Sequence, residues 1–181
     1  MKILHAITGS VAAEQAGNVE RELLLKIPNA NITSIATGRA GYFLEKGTLM
    51  GMSLTDEDEW TWKKRGDSIL HIDLCKDNDV LVIAPLSANT LAKISHGLCD
   101  NLVTCVVRAW NYDKPLILAP AMNTKMWENP LTRPQLDIMT SMGASIISPI
   151  EKLLMCGDRG MGAMANAKDI ADFVSVRDDK I

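Results

Sequence analysis

The sequence predicts a single α/β domain built on a doubly wound parallel sheet, and three observations predict it. Short runs of apolar and β-branched residues recur along the chain, segments of helical period separate them, and the runs are apolar almost throughout. Strands covered by helices on both faces lose the in–out alternation of half-exposed strands, so continuous apolar runs point to a parallel sheet. The 181 residues are enough for one domain with a proper core, taken here as residues 1–181.

The first strand is read in KILHAI, residues 2–7, and a helix follows from Val11 to Lys26. ITSIAT (32–37), VLVIAP (80–85), PLILAP (115–120) and ASIIS (144–148) supply the next four strands. Helices are predicted over Ser87 to Ser95, Asn101 to Trp110 and Arg133 to Met142. Gly143 stops the last of these as a C′ residue, and Ala167 to Val176 makes a closing helix. Alternating β and α elements give a Rossmann-like (flavodoxin-like) arrangement. The segment MSLTDEDEWTWKKRGDS interrupts the alternation. Asp56 to Glu59 read as a solvated acidic loop. Trp60 and Trp62 stand out because only 4% of residues are aromatic. Large rings in a polar insertion cover the core, another subunit or a flat ligand.

A net charge of −3 with no stripe of Lys and Arg argues against generic nucleic-acid binding and against attachment to an anionic membrane. No apolar segment reaches transmembrane length, and MKILHAITGS has too short an apolar run for a secretory signal. Four cysteines form no C-x-x-C pair, so the expectation is a reduced, cytoplasmic setting without disulfides. Three histidines, His5, His71 and His96, are far apart, and no metal is expected.

In open parallel sheets ligands settle beyond the carboxyl ends of the strands. Strand one ends in TGSVAA, where Gly9 allows close backbone approach, Ser10 offers a hydroxyl and the helix from Val11 points its amides forward. Gly-Ser is equally an everyday turn and N-cap. Strand two ends in ATGRAGYF, with Thr37, Gly38 and Arg39. Strand three ends in APLSANTLAKI, where Ser87 is a natural N-cap and Asn89 and Thr90 suit the polar edge of a flat heterocycle. Strand four ends in APAMNTKMWENP, with Asn123 placed to grip a carboxylate; Met122 and Met126 fit core packing as well as a ligand. His71 lies in ILHIDL, where a lone histidine is either structural or catalytic. LLMCGDRGMGAMA (153–165) holds too much glycine for a helix and too few β-branched residues for a strand. It reads as a segment built to move that carries Cys156; the plain alternative is a buried cysteine in an irregular tail.

GSVAA, LHIDL, APLSANTLAKI, GLCDNLVTCVVRAW, PAMNTKMWENP and MCGDRGMGAMA occur in this order. Together they closely resemble the phosphopantothenoylcysteine decarboxylase branch of the homo-oligomeric flavin-containing cysteine decarboxylases, over roughly Ile3 to Ala165. The resemblance implies a carboxy-lyase of coenzyme A biosynthesis that holds FMN and converts phosphopantothenoylcysteine to 4′-phosphopantetheine. It implies a homotrimer with active sites between subunits, and a flap at about 150–165 that closes over substrate. Gly9, Ser10, Val11, Thr37, Gly38 and Arg39 match the phosphate end of the FMN site; Ser87, Ala88, Asn89, Thr90 and Ala121 match its flavin end. His71 matches the family's catalytic histidine and Cys156 its catalytic cysteine. Asn123, Met126 and Met155 match substrate-binding positions.

The implied chemistry explains these residue types. A cysteinyl carboxylate leaves only after the thiol-bearing carbon is oxidised, so that C=S accepts the electrons released with CO₂. His71 is then the base, Cys156 the acid that completes the product, and Asn123 a neutral hold on the carboxylate. Cys75, Cys99 and Cys105 read as structural. Two positions depart from the pattern: Gly38 stands where many relatives have a lysine, and Leu153 where plant relatives have an arginine. Rival readings are a peptidyl-cysteine decarboxylase, a non-enzymatic flavin-binding regulatory protein of the phosphatase-inhibiting halotolerance type, and a flavin prenyltransferase. The CGDRGMGAM stretch argues against the first and third, and the short ending SVRDDKI is not the acidic tail of the second.

Overall fold

The computed structural model describes residues 1–44, 49–51, 53–153 and 159–177. Six parallel strands form the main sheet: β1 (Lys2–Ile7), β2 (Asn31–Ala36), β3 (Ser53–Leu54), β4 (Val80–Leu86), β5 (Leu116–Pro120) and β6 (Ser145–Ile146). Their spatial order is β3-β2-β1-β4-β5-β6. β1 is central, pairing His5 with Ser34 of β2 on one side and with Val82 of β4 on the other. The winding direction reverses between β1 and β4, and this is where a crevice opens in such sheets.

β4 is buried along its whole length, and its side chains alternate between two cores. Val80, Val82 and Ala84 join Val19, Leu23, Ile170 and Val174 on the face covered by α1 (Ala16–Lys26) and α8 (Ala167–Ser175). Leu81 and Ile83 join Leu91, Leu102, Val106 and Met139 on the opposite face. That face is covered by α3 (Leu70–Asp77), α4 (Ala88–Ser95), α5 (Leu102–Ala109) and α7 (Thr132–Ser141). Each fully buried Ile or Leu contributes about 1.5–3 kcal/mol, so the two cores fix the register of every central strand. Among the described residues no helix is long and apolar enough to cross a membrane.

The expected helix from Val11 divides into a 3₁₀ turn, Val11–Gln15, and α1. Ser10 caps the turn, its Oγ accepting from Ala12 N at 3.3 Å. Gly143 has φ +102°, as a C′ stop requires. Four features depart from the expectation. Asp56–Glu59 is not a solvated loop but a short helix, α2, because the Asp58 carboxylate accepts from both Thr55 N and Thr55 Oγ1 at 2.8 and 3.2 Å. α3 and α6 (Thr124–Trp127) are further short helices that the sequence reading does not predict. The edge strand β3 adds a sixth member to the sheet. Last, the glycine-rich stretch contributes to an antiparallel pair, β7 (Ile150–Leu153) with β8 (Arg159–Ala163).

One buried polar cluster ties α1 to the sheet. His5 and Glu20 are both fully buried. His5 Nε2 donates to Ala84 O at 2.7 Å while Nδ1 lies 3.1 Å from Glu20 Oε1. Ser34 Oγ donates to the same Glu20 oxygen at 2.6 Å, and Met50 N donates to the other at 2.7 Å. Burial by itself raises the Glu20 carboxyl, but the His5 hydrogen bond and charge, the Ser34 hydroxyl and the Met50 amide outweigh it. They hold the group below the ordinary 4.5. A depressed folded value means that Glu20 stabilises the fold fully above the ordinary value, and that this stabilisation is lost as pH falls through the folded one. Glu20→Gln is expected to lower stability at neutral pH by about 3 kcal/mol and to flatten the acid limb of stability against pH. Urea unfolding across the pH range measures both, and an unaltered acid limb would exclude Glu20 as the titrating group.

Candidate active site

Thr8 sits at the carboxyl end of β1 and is fully buried. Its Oγ1 donates to Pro85 O at 2.8 Å and accepts from Ser87 N at 2.7 Å. The ends of β1 and β4 are thereby tied together at the switch point. Beyond them lies a cleft of about 620 Å³, within the range of small-molecule sites. Gly9, Thr37, Gly38 and Arg39 line it from the β1 and β2 ends; Ser87, Asn89 and Thr90 line it from the β4 end.

Ser87 caps α4: its Oγ accepts from Thr90 N at 3.3 Å and donates to Thr90 Oγ1 at 3.2 Å. Gly9 is forced by a protein neighbour rather than only by a ligand, since a Cβ there would stand 2.6 Å from the Cβ of Arg39. The two loops are pressed together. Thr37 Oγ1 is buried and has no hydrogen-bond partner among the described residues. An orphaned hydroxyl on a cleft wall is costly unless a ligand satisfies it.

Ser10, Val11, Ala88 and Ala121 do not line this cleft. Ser10 is committed to its cap, and Ala121 is buried beneath, its N–H donating to Leu86 O at 2.9 Å. The cleft has members that the sequence reading missed: Tyr42, Asp56, Lys93, Asp100 and Asn101. The Arg39 guanidinium lies 5.7 Å from the Tyr42 ring centroid. Lys93 Nζ pairs with Asp100 at 2.6 Å and holds that carboxyl below its usual range. Asp56 Oδ1 accepts from Leu102 N at 2.8 Å, docking α2 onto the start of α5. An i, i+4 step from Asn89 to Lys93 was the available signal for the lysine.

His71 is the second residue of α3 and is not among the residues lining the cleft. Its Nδ1 lies 2.5 Å from Glu59 Oε1, and its backbone N–H donates to Glu59 Oε2 at 3.0 Å. Trp60 and Trp62, next along the chain from Glu59, are 75% and 52% exposed, so neither covers the core.

Asn123 caps α6, with Oδ1 accepting from Lys125 N at 2.9 Å, which fixes the plane of its amide. Met126, one turn on, is half-exposed. The β7–β8 pair docks on this same segment. Met122 N donates to Gly162 O at 2.9 Å. A Cβ on Gly160 would stand 2.5 Å from Thr124 Oγ1, and one on Gly162 would overlap Met122 O. Gly162 also has φ +139°. Gly160 and Gly162 therefore serve close approach between the hairpin and this segment. Met155 and Cys156 lie outside the described residues, in the connection between β7 and β8. Of the remaining thiols, burial pushes Cys75 up to about 11 against a smaller pull from Lys114, and its Sγ donates to Val106 O at 3.4 Å. Cys105 is also raised by burial, and further by nearby Cys99, Glu59, Asp56 and Asp100.

A parallel sheet with a polar cleft at its switch point defines an α/β protein of the mononucleotide-binding class. The family described as Flavoprotein matches residues 1–177. Phosphopantothenoylcysteine decarboxylase of Oryza sativa subsp. japonica is 51% identical over 176 residues, covering 96% of this chain and 79% of the relative. A solved cysteine-to-serine mutant of PPC decarboxylase, complexed with pantothenoylaminoethenethiol, has a TM-score of 0.94 at 48% identity over 98% of each chain. The FMN-binding protein AtHal3 gives 0.90 at 48% identity, over 99% of this chain and 97% of that one. The chain belongs to the flavoprotein family, in its phosphopantothenoylcysteine decarboxylase branch.

Gly162→Ala is expected to lower stability by more than about 1 kcal/mol, because alanine is strained at this φ and its methyl meets a carbonyl. Amide exchange should quicken in β7 and β8 while β1, β4 and β5 stay protected. Unaltered protection in the hairpin would show that Gly162 does not seat it.

Proposed function

We propose that this protein decarboxylates phosphopantothenoylcysteine to 4′-phosphopantetheine with bound FMN, as part of coenzyme A biosynthesis in the cytoplasm. The observation that carries this is the likeness, over 98% of the chain, to a decarboxylase complexed with an enethiol. The cleft supports it independently. Its size, the unsatisfied Thr37 hydroxyl and the capped turn at Ser87 suit a ligand with a phosphate end and a polar heterocycle.

Gly9, Thr37, Gly38 and Arg39 would hold the phosphate end of FMN, and Ser87, Asn89 and Thr90 the ring. When bound, FMN supplies reversible hydride acceptance from the thiol-bearing carbon of the substrate. His71 takes the proton of the substrate thiol. Asn123 orients the departing carboxylate through a neutral amide, adding no fixed positive charge that would favour the ground state. Cys156, carried between β7 and β8, returns the proton that completes phosphopantetheine. The hairpin, seated on Met122 to Thr124, serves as the substrate flap and brings Cys156 and Met155 toward Asn123 and Met126.

The active unit in this reading is a homotrimer with the site between subunits. Two features support it: His71 does not line the cleft of its own chain, and Trp60 and Trp62, which follow Glu59 in the chain, are exposed.

Two variants separate the steps. His71→Asn should fold, stay yellow and release no CO₂ from phosphopantothenoylcysteine; loss of flavin instead would assign His71 to cofactor retention. Cys156→Ser should release CO₂ but accumulate an enethiol in place of phosphopantetheine. Complete turnover by that variant would remove Cys156 from the mechanism.

A further inference from the structure

We propose that Glu59 is a positioning residue for His71, holding the imidazole with its hydrogen on Nδ1 so that Nε2 is the proton-accepting atom. The proposal rests on His71 acting as the base in the reaction above. One carboxylate grips two atoms of the same residue, the ring at Nδ1 (2.5 Å) and the backbone N–H (3.0 Å). The backbone grip fixes the start of α3, and the ring grip fixes the rotation of the imidazole about its side chain. Glu59 is 8% exposed and His71 24% exposed, so the carboxylate is withdrawn from water while the ring keeps open surface. Among the described residues Nε2 receives no hydrogen bond.

An ionised carboxylate only accepts hydrogen bonds, so the ring nitrogen facing it carries the hydrogen. The lone pair is then on Nε2. When Nε2 takes the thiol proton, the imidazolium that forms lies against a negative charge already in place, with no reorganisation needed. A histidine without this partner distributes its hydrogen between both nitrogens, and part of the population presents the wrong atom to substrate.

The chain builds this arrangement from the acidic cluster. The Thr55–Asp58 contacts start α2, Asp56 fastens it to α5, and Glu59, three residues after Asp56, lies on the same side of the helix and reaches α3. Cys105 of α5 lies within electrostatic reach of Glu59, Asp56 and Asp100, and Lys93 is paired with Asp100 at 2.6 Å.

The test uses the FMN-loaded protein with Glu59→Gln, which keeps shape and loses charge, and Glu59→Ala. Both should retain the flavin spectrum and the KM for phosphopantothenoylcysteine, with kcat for CO₂ release lower by at least about 100-fold. Nitrogen-15 spectra of histidine-labelled protein without substrate, assigned with His71→Asn, should show the Nδ1–H tautomer in the wild type and a mixture in Glu59→Ala. If Glu59→Ala loses its flavin, Glu59→Gln carries the kinetic arm. Wild-type kcat in Glu59→Gln, or an Nε2–H tautomer in the wild type, would each overturn the proposal. Full turnover by His71→Asn would instead overturn the reading of His71 as the base, and this proposal with it.

Discussion

The site depends on one buried hydroxyl. Thr8 Oγ1 donates to a carbonyl of β4 and accepts from the first amide beyond it, so a single side chain locks the two strand ends between which the winding reverses. Every later feature of the cleft is measured from that lock. The Gly9 turn leaves β1 immediately after Thr8, and the α4 cap begins at Ser87, the residue whose amide Thr8 receives. Because both hydrogen bonds are short and fully buried, the two walls of the cleft have little freedom to drift apart.

Close backbone approach is the second constraint, and it recurs at both ends of the site. Gly9 lets the β1 and β2 loops touch; Gly160 and Gly162 let the β7–β8 pair lie on the Met122–Thr124 segment. The sheet thus presents two built surfaces. One is a polar cleft whose hydroxyls and amides suit a flavin mononucleotide. The other is an asparagine-capped loop with a hairpin seated on it, where the substrate carboxylate and the Cys156 segment meet in the proposed mechanism. α2 contributes two acids, Asp56 to the cleft and Glu59 to His71.

Much of this was legible in the sequence, for physical reasons that differ by element. The apolar runs of β1, β4 and β5 announced strands buried on both faces, and the Ser87 cap announced the helix after it. The residues of the cleft were legible at the strand ends because sheet topology dictates where a crevice forms. What was not legible depended on contacts distant in sequence. Thr8 passes as one more residue before a glycine turn until Pro85 and Ser87, on another strand, are placed beside it. Asp56–Glu59 has the composition of a solvated loop; its Thr55–Asp58 capping contacts are local, but its docking on α5 and α3 cannot be seen in the chain. The close approach at Gly160 and Gly162 is not legible, because the chain alone does not show the carbonyl and the threonine that exclude a side chain.

The most direct measurement is a titration of the purified protein with FMN, followed by quenching of flavin fluorescence, for the wild type and Thr8→Val. Saturable binding of one FMN per chain is expected in the wild type. The valine variant should retain the folded sheet yet bind at least about 10-fold more weakly, since its Ser87 amide is left buried and unpaired. Absence of saturable binding by the wild type in excess FMN would contradict the flavin site at the switch point.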